Sequence, residues 1–190
     1  GIAAVDTYRE AYVGVEGQSV ALVSRDLRLH AQRSRYLMVH GDSSAALRRA
    51  AETGGALLSE VLATRLQLHE GDRLTITTPA GPVAVPVEGI FYDYATDGGK
   101  MVMDRTWYRR QWHDDRVTVY SVYLASGVDA ERVRRSIVTR VAGMDGMTLP
   151  PLVIRNHELR QEILDIFDRS FVLTYVLEAI AVLVAVLGIV

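Results

Sequence analysis

The sequence predicts a mixed domain of strands and helices, followed by a helix of the membrane type. Short β-branched runs bounded by turn residues alternate with segments that begin at a capping side chain, which favours a mixed architecture. Charge is nearly absent from the end of the chain: Glu178 is the only charged residue from Ser170 to Val190, and seventeen of the last twenty residues are apolar. With 190 residues, 49% of them hydrophobic, the chain can bury one sizeable core or two small ones.

Composition excludes several function classes. The formal net charge is -2, so the chain lacks the strong positive field that drives binding to nucleic acid, and we expect no nucleic-acid partner. There is no cysteine, which excludes disulfides, cysteine-ligated zinc sites and thiol chemistry.

The first elements are predicted from β-branched runs and turn residues. Tyr12–Val15 and Val20–Ser24 flank a Glu-Gly turn, which indicates a hairpin. Arg35–His40 reads as a further strand after a polar connection. In the segment Gly41–Ser44, side-chain oxygens can cap a helix at Ala45–Glu52, and two glycines end that helix.

The middle of the chain predicts a second hairpin. Ala56–Leu58 is a brief apolar run, and Ser59 is placed to cap a helix at Glu60–Leu68. Arg73–Thr78 and Val83–Val87 alternate apolar and polar residues around a Pro-Ala-Gly-Pro turn. A short run that follows extends the second of these strands.

The next segment predicts two strand–helix pairs. Lys100–Met103 is a short strand, and Asp104 is placed to cap a helix that ends at Trp112. Val117–Leu124 has the clearest strand pattern of the chain. Asp129 can cap the helix at Ala130–Val141, whose apolar residues recur every four positions on one face.

The last segment predicts a helix that enters a membrane. Two prolines precede a short strand at Leu152–Ile154, and Asn156 is placed to cap a helix with no glycine or proline before Gly188. A helix of 21 residues is about 31 Å long, close to the thickness of a bilayer core. We therefore expect a domain at 1–155, a stalk helix at 156–170 and a truncated transmembrane helix at 171–190.

Two further expectations concern the membrane. The flank before the span has no cluster of basic residues, which places residues 1–170 outside the cytoplasm. Inside the span, Glu178 is costly to bury in lipid and is expected to face another helix or to lie near the membrane interface. We predict that Phe167, Asp168, Arg169, Phe171 and Glu178 couple domain movement to the membrane.

Motifs for catalysis or metal binding are incomplete. Gly99-Lys100 lacks the other residues of a phosphate loop, and His157-Glu158 lacks the second histidine of a zinc-protease helix. We expect a solvated helix end at His113–Asp115. Gly41-Asp42-Ser43 is similar to the nucleophile turn of some serine esterases, but no histidine has an acidic residue three positions before it, which favours helix capping. We predict no catalytic, cofactor-binding or metal-binding residue.

The order of several loose motifs resembles a known family. The motifs are, in order, Leu57–Ala63, Leu68–Leu74 with Gly71-Asp72, the hairpin around Gly81, Val87–Ile90, and the exit through Ile166–Phe171 into Thr174–Glu178. With these motifs the chain resembles the extracytoplasmic domain of FtsX-like ABC transporter permeases of the MacB type.

The resemblance implies an α+β fold with a βαβ-rich lobe and a smaller β-rich lobe, to which 117–141 and 73–87 would belong. It implies a non-catalytic domain that couples the motion of a cytoplasmic ATPase to the handling of lipids, lipoproteins or peptides. The implied partners are the membrane, an ATP-binding subunit and a second permease protomer or half, with location in the plasma (inner) membrane. ATP would bind the partner subunit, and no cofactor is expected in this chain.

Two other functions remain open at the level of the sequence. A ligand-sensing ectodomain of a signalling receptor would carry the same terminal helix into a cytoplasmic output domain. A membrane-anchored hydrolase would use Ser43 as its nucleophile.

Overall fold

The computed structural model describes residues 1–94, 96, 98–142, 144, 152–155, 158, 175–178, 180–182, 184, 185 and 187. Contacts divide the chain into two compact units, Ile2–Ala125 and a second unit formed by Gly1 with Ser126–Val190. The elements are β1 (Ile2–Val15), β2 (Gln18–Arg25), α1 (Leu27–Arg33), α2 (Ser43–Thr53), β3 (Ala56–Ser59), α3 (Glu60–Leu66), β4 (Arg73–Thr78), β5 (Gly81–Phe91), β6 (Lys100–Asp104), α4 (Arg105–Trp112), β7 (Val119–Leu124) and α5 (Ala130–Ala142).

Six strands of the first unit close into a barrel. The sheet order is β2-β6-β3-β5-β4-β1-β7, and a further pairing of β2 with β1 completes the ring. Strands β2 and β6 pair in parallel, as do β3 and β5, and the remaining pairs are antiparallel. Closure removes the exposed edges from these six strands, because each one has a neighbour on both sides.

Alternation along the strands produces two apolar layers. Inward-facing side chains form the barrel interior, to which α3 and α4 add Leu62 and Tyr108. Outward-facing Val23, Leu57 and Val102 pack with the buried faces of α1 and α2. Successive side chains of a strand point to opposite faces, so Leu57 and its neighbour Leu58 belong to different layers.

The capping predictions at Asp42, Ser59, Asp104 and Asp129 are confirmed. Asp42 accepts a hydrogen bond from the Ala45 N–H at 2.8 Å, and the carboxylate of Asp129 accepts from the Glu131 N–H at 2.9 Å. Ser59 and Asp104 likewise cap α3 and α4. The hydroxyl of Ser59 accepts from two backbone N–H groups, one in α3 and one at the start of β6.

Helix α1 and the full length of β1 were not predicted. The sequence indicated a strand only at Tyr12–Val15, whereas β1 begins at Ile2. The segment read as a polar connection contains α1, whose N-cap is Asp26. Asp6 lies in β1, where it is buried and forms an ion pair with Arg25. A charged residue therefore interrupts the apolar pattern inside a regular strand.

Two predicted strands are wrong. Residues 35–40 form only an isolated bridge between Met38 and Phe91. The pairing of β4 with β5 ends at Pro86, so the last residues of β5 have no strand on that side. The short bridge from Met38 lies at this edge of β5. Residues 152–155 have no regular secondary structure. The predicted strand at 117–124 begins two residues later and belongs to the first unit, whereas α5 belongs to the second. The predicted cap at Asn156 lies outside the described residues.

Candidate functional site

Strand β1 is shared by the barrel and a separate two-stranded ribbon. Its first half, from Ile2 to Tyr8, pairs with β7, and its second half, from Arg9 to Val15, pairs with β2. One continuous backbone therefore joins the ribbon half of β1 to its barrel half. We call the ion-paired residues at this change of partner, Asp6, Arg9, Arg25 and Asp114, the β1 junction.

Asp6 fastens the ribbon half of β1 to the end of β2. Its carboxylate accepts hydrogen bonds from Arg25 Nη2 at 2.6 Å and Nε at 3.0 Å, and from the Asp26 N–H at 3.2 Å. The Asp6 side chain is 1% exposed and that of Arg25 is 13% exposed. Burial is the largest single influence on Arg25 and opposes its charge, but the hydrogen bond to Asp6 and the interactions with Tyr36 and the Asp6 charge together outweigh it, so the pKa of Arg25 is raised.

Asp114 fastens the barrel half of β1 to the segment between α4 and β7. Its carboxylate accepts from Arg9 Nε at 2.8 Å, from the Tyr108 hydroxyl at 2.9 Å and from Arg116 Nε at 2.9 Å. The hydrogen bond from Arg116 is the largest cause that holds the Asp114 pKa well below its usual range, and Arg9 adds to it against the effect of burial. The junction therefore carries a permanent negative charge at Asp114 at neutral pH.

Arg105 links the same segment to β2. Its guanidinium donates to the Arg116 carbonyl at 2.7 Å and to the Ser24 hydroxyl at 3.3 Å, and its side chain is buried. Burial, followed by repulsion from Arg109, lowers the pKa of Arg105. Polar contacts thus connect α4, β2 and the approach to β7 around one strand.

The sequence analysis missed the junction. The prediction of a solvated helix end at His113–Asp115 is wrong for Asp114, which is 9% exposed. Its partner Arg9 is 105 positions away, so no local pattern joins the two. In the part of the chain that the structure describes, no group of three or more histidine or acidic residues is placed to hold a metal ion.

The Gly41-Asp42-Ser43 turn has the geometry of a helix start. Asp42 is the cap of α2, and the hydroxyl of Ser43 accepts a hydrogen bond from the Tyr36 N–H at 2.9 Å. Ser43 is buried, and within the described residues no hydrogen bond joins it to a histidine. The capping interpretation is the one that these contacts support.

Of the five predicted membrane-coupling residues, the structure describes Glu178. Phe167, Asp168, Arg169 and Phe171 lie outside the described residues, and Glu178 is an exposed residue in a helical stretch at 175–178. Over the described parts of the chain, no helix combines the length and the apolar character needed to cross a membrane. The predicted span and its coupling role stay predictions.

Comparison with known proteins identifies solved structures with a similar fold and a sequence relative. No protein-family profile matches the chain. The fold is similar to that of the periplasmic region of MacB from Actinobacillus actinomycetemcomitans, with a TM-score of 0.55 and 11% identity over 85% of this chain and 76% of that one. It is also similar to the extracellular domain of the noncanonic ABC-type transporter YknZ from Gram-positive bacteria, with a TM-score of 0.56 and 11% identity over 76% and 79% of the chains.

These neighbours define a class: the chain has the α+β fold of MacB-type periplasmic domains. A sequence relative is more specific. Over 183 residues, 96% of this chain, the sequence is 30% identical to the uncharacterized ABC transporter permease protein Rv0987 of Mycobacterium tuberculosis (strain ATCC 25618 / H37Rv). The chain spans about a fifth of that relative, 21% of its length. The predicted resemblance to ABC transporter permeases and the predicted fold class are both confirmed.

Proposed function

We propose that the chain is the non-catalytic extracytoplasmic domain of an ABC transporter permease subunit in the plasma membrane. The observation that carries this proposal is the 30% identity to a permease across nearly the whole chain. The fold supports it independently, because its structural neighbours are a periplasmic region and an extracellular domain. ATP would bind a cytoplasmic partner subunit, and a second permease protomer or half would complete the transporter.

The role of the domain would be to couple ATPase motion to the transport or extraction of a lipid, lipoprotein or peptide. Strand β1 supports this role because one backbone joins the ribbon to the barrel, with buried ion pairs on both sides of the change of partner. Buried, hydrogen-bonded charges are costly to separate, so the junction moves as a unit. Displacement at either end of β1 then reaches the other end without loss in a flexible loop.

Membrane topology tests the assignment to a permease. The chain contains no cysteine, so a single cysteine at the exposed Ser126 needs no other change within it. A second single cysteine is placed just beyond residue 190 in the longer permease, after any cysteines outside the chain have been replaced. An impermeant thiol reagent should label position 126 from outside and the second position only from inside, with several further spans in the same protein. Ala50→Cys is the matched control, since residue 50 is fully buried and should react only after denaturation. A protein with one or two spans and a cytoplasmic output domain would instead support a signalling receptor.

Coupling is tested by loosening the junction in the assembled transporter. Arg25→Met removes the buried partner of Asp6 and should lower ATP turnover by the partner subunit several-fold, since the two ends of β1 no longer move together. Arg109→Met removes an exposed ion pair with Asp115 and should leave turnover unchanged. Equal turnover in the wild type and in a folded Arg25→Met variant would rule out the coupling role.

A further inference from the structure

A buried histidine lies in the layer between the barrel and helices α1 and α2. His30 is 4% exposed, and neither of its ring nitrogens has a hydrogen-bond partner among the described residues. Its ring lies 5.0 Å from the ring of Tyr36, which in turn lies 4.6 Å from the ring of Phe91. The described residues around His30 therefore resemble the surroundings of an apolar ring. None of them is placed as a hydrogen-bond acceptor for the second ring N–H that protonation would create.

The charges around this ring oppose its protonation. From β2, Arg25 repels an added positive charge, and from β1, Asp6 attracts it. The Asp6 carboxylate, however, already accepts three hydrogen bonds from Arg25 and the Asp26 N–H. Tyr36, on the segment after α1, has a pKa raised by burial and stays neutral. Helix α2 buries only groups that do not ionise in this range: Ser43, Ala46, Leu47 and Ala50. Besides His30 itself, the ionisable residues of α1 and its cap are Asp26, Arg28 and Arg33.

Helix α1 is well placed to respond to a change at His30. It has seven residues, too few for a helix to be stable by itself, and its only buried side chains are Leu27 and His30. We propose that His30 is an acid-sensitive release for α1: protonation of its ring detaches the helix from the outer layer of the barrel. The N–H of Asp26, the cap of α1, donates to Asp6, so detachment of the helix would also act on the β1 junction.

The direction of the pH effect follows from the burial of the ring. Burial, and then the charge of Arg25, lower the pKa of His30 to about 4, below the 6.5 of an exposed imidazole. The detached state therefore binds a proton more readily than the attached state. Attachment is at full strength above pH 6.5, weakens as the pH falls below 6.5, and stops weakening near pH 4, where the attached ring also protonates. Between pH 7 and pH 5 the opening equilibrium should rise about 20-fold.

Hydrogen exchange of the 190-residue chain in detergent micelles tests this proposal. After correction for the intrinsic exchange rate, the protection of the α1 amides should fall about 20-fold from pH 7 to pH 5, while the interior barrel strands keep theirs. His30→Phe keeps an aromatic ring beside Tyr36 and removes the ionisable group, so its α1 protection should not change with pH. His40→Asn is the matched control, because His40 is exposed and its replacement should preserve the wild-type response.

An NMR titration of the histidine ring signals tests whether burial suppresses the protonation of His30, even if the His30→Phe variant fails to fold. A His30 pKa well below that of the exposed histidines supports the release. A His30 pKa near 6.5 in the folded chain overturns it, as does α1 protection that falls equally in the wild type and in His30→Phe. The measurement needs no transport partner, so its outcome is independent of the proposed permease function.

Discussion

Asp6→Asn is the most informative change at the β1 junction. The substitution keeps the size of the side chain and one acceptor oxygen, but it removes the charge that faces Arg25 at 2.6 Å. Removal of one partner of a buried ion pair typically costs 3 to 5 kcal/mol, because the other charge is left buried without compensation. Arg25 is 13% exposed, so water offsets part of the cost of its unpaired charge, and we expect a loss at the lower end, about 3 kcal/mol in the free energy of unfolding.

Denaturant unfolding measures this loss directly. Trp107 and Trp112 are partly buried against the barrel interior, so their fluorescence reports its unfolding in urea. The thermal midpoint should fall by about 6 to 12 °C, at roughly 2 to 4 °C per kcal/mol for a chain of this size. Asp115→Asn is the control: its ion pair with Arg109 is exposed, and we expect a loss below about 1 kcal/mol.

A second substitution separates an unpaired charge from a general packing defect. In the double variant Asp6→Asn, Arg25→Met the uncompensated guanidinium is gone, so stability should recover by about 1 kcal/mol or more relative to Asp6→Asn alone. The reasoning is refuted if Asp6→Asn costs no more than Asp115→Asn. It is also refuted if the double variant is as unstable as the sum of the two single variants.

Three other changes test the packing around the barrel. Leu58→Ala removes a fully buried side chain from the barrel interior and should cost about 2 to 5 kcal/mol in urea unfolding. Ser59→Ala leaves two backbone N–H groups without their acceptor and should cost about 1 to 2 kcal/mol; a neutral result would show that the cap is dispensable. Gly54→Ala places a Cβ 2.2 Å from Trp107 Nε1 at a φ of +70°, so its thermal midpoint should fall and the tryptophan emission should shift.

Local features of the fold were predictable. The caps at Asp42, Ser59, Asp104 and Asp129 form as expected, because each capping side chain accepts from a helix N–H group within three residues of it. The hairpin of β4 and β5 follows from alternation around a turn, which is equally local. The loose motifs and their order were sufficient to identify a resemblance to permease ectodomains.

Long-range features were not predictable. The length of β1 was underestimated because Asp6 and Arg9 break its apolar pattern, and both are held by partners on other elements. Asp114 was assigned to solvent because an acidic residue after a helix usually lies there. Helix α1 was missed because only two of its seven residues are buried, which is too weak a periodic signal.

The sequence by itself determined where helices α2 to α5 begin, which strands form hairpins, the α+β class and the apolar character of the last twenty residues. Those properties depend on neighbours within a few positions or on composition. Only the tertiary structure decided that six strands close into a barrel, that β1 is shared with a ribbon, and that Asp6, His30 and Asp114 are buried. The burial of a side chain depends on residues that are distant along the chain, such as Arg9 and Asp114, which are 105 positions apart. Their pairing lowers the free energy only after the barrel has brought them together.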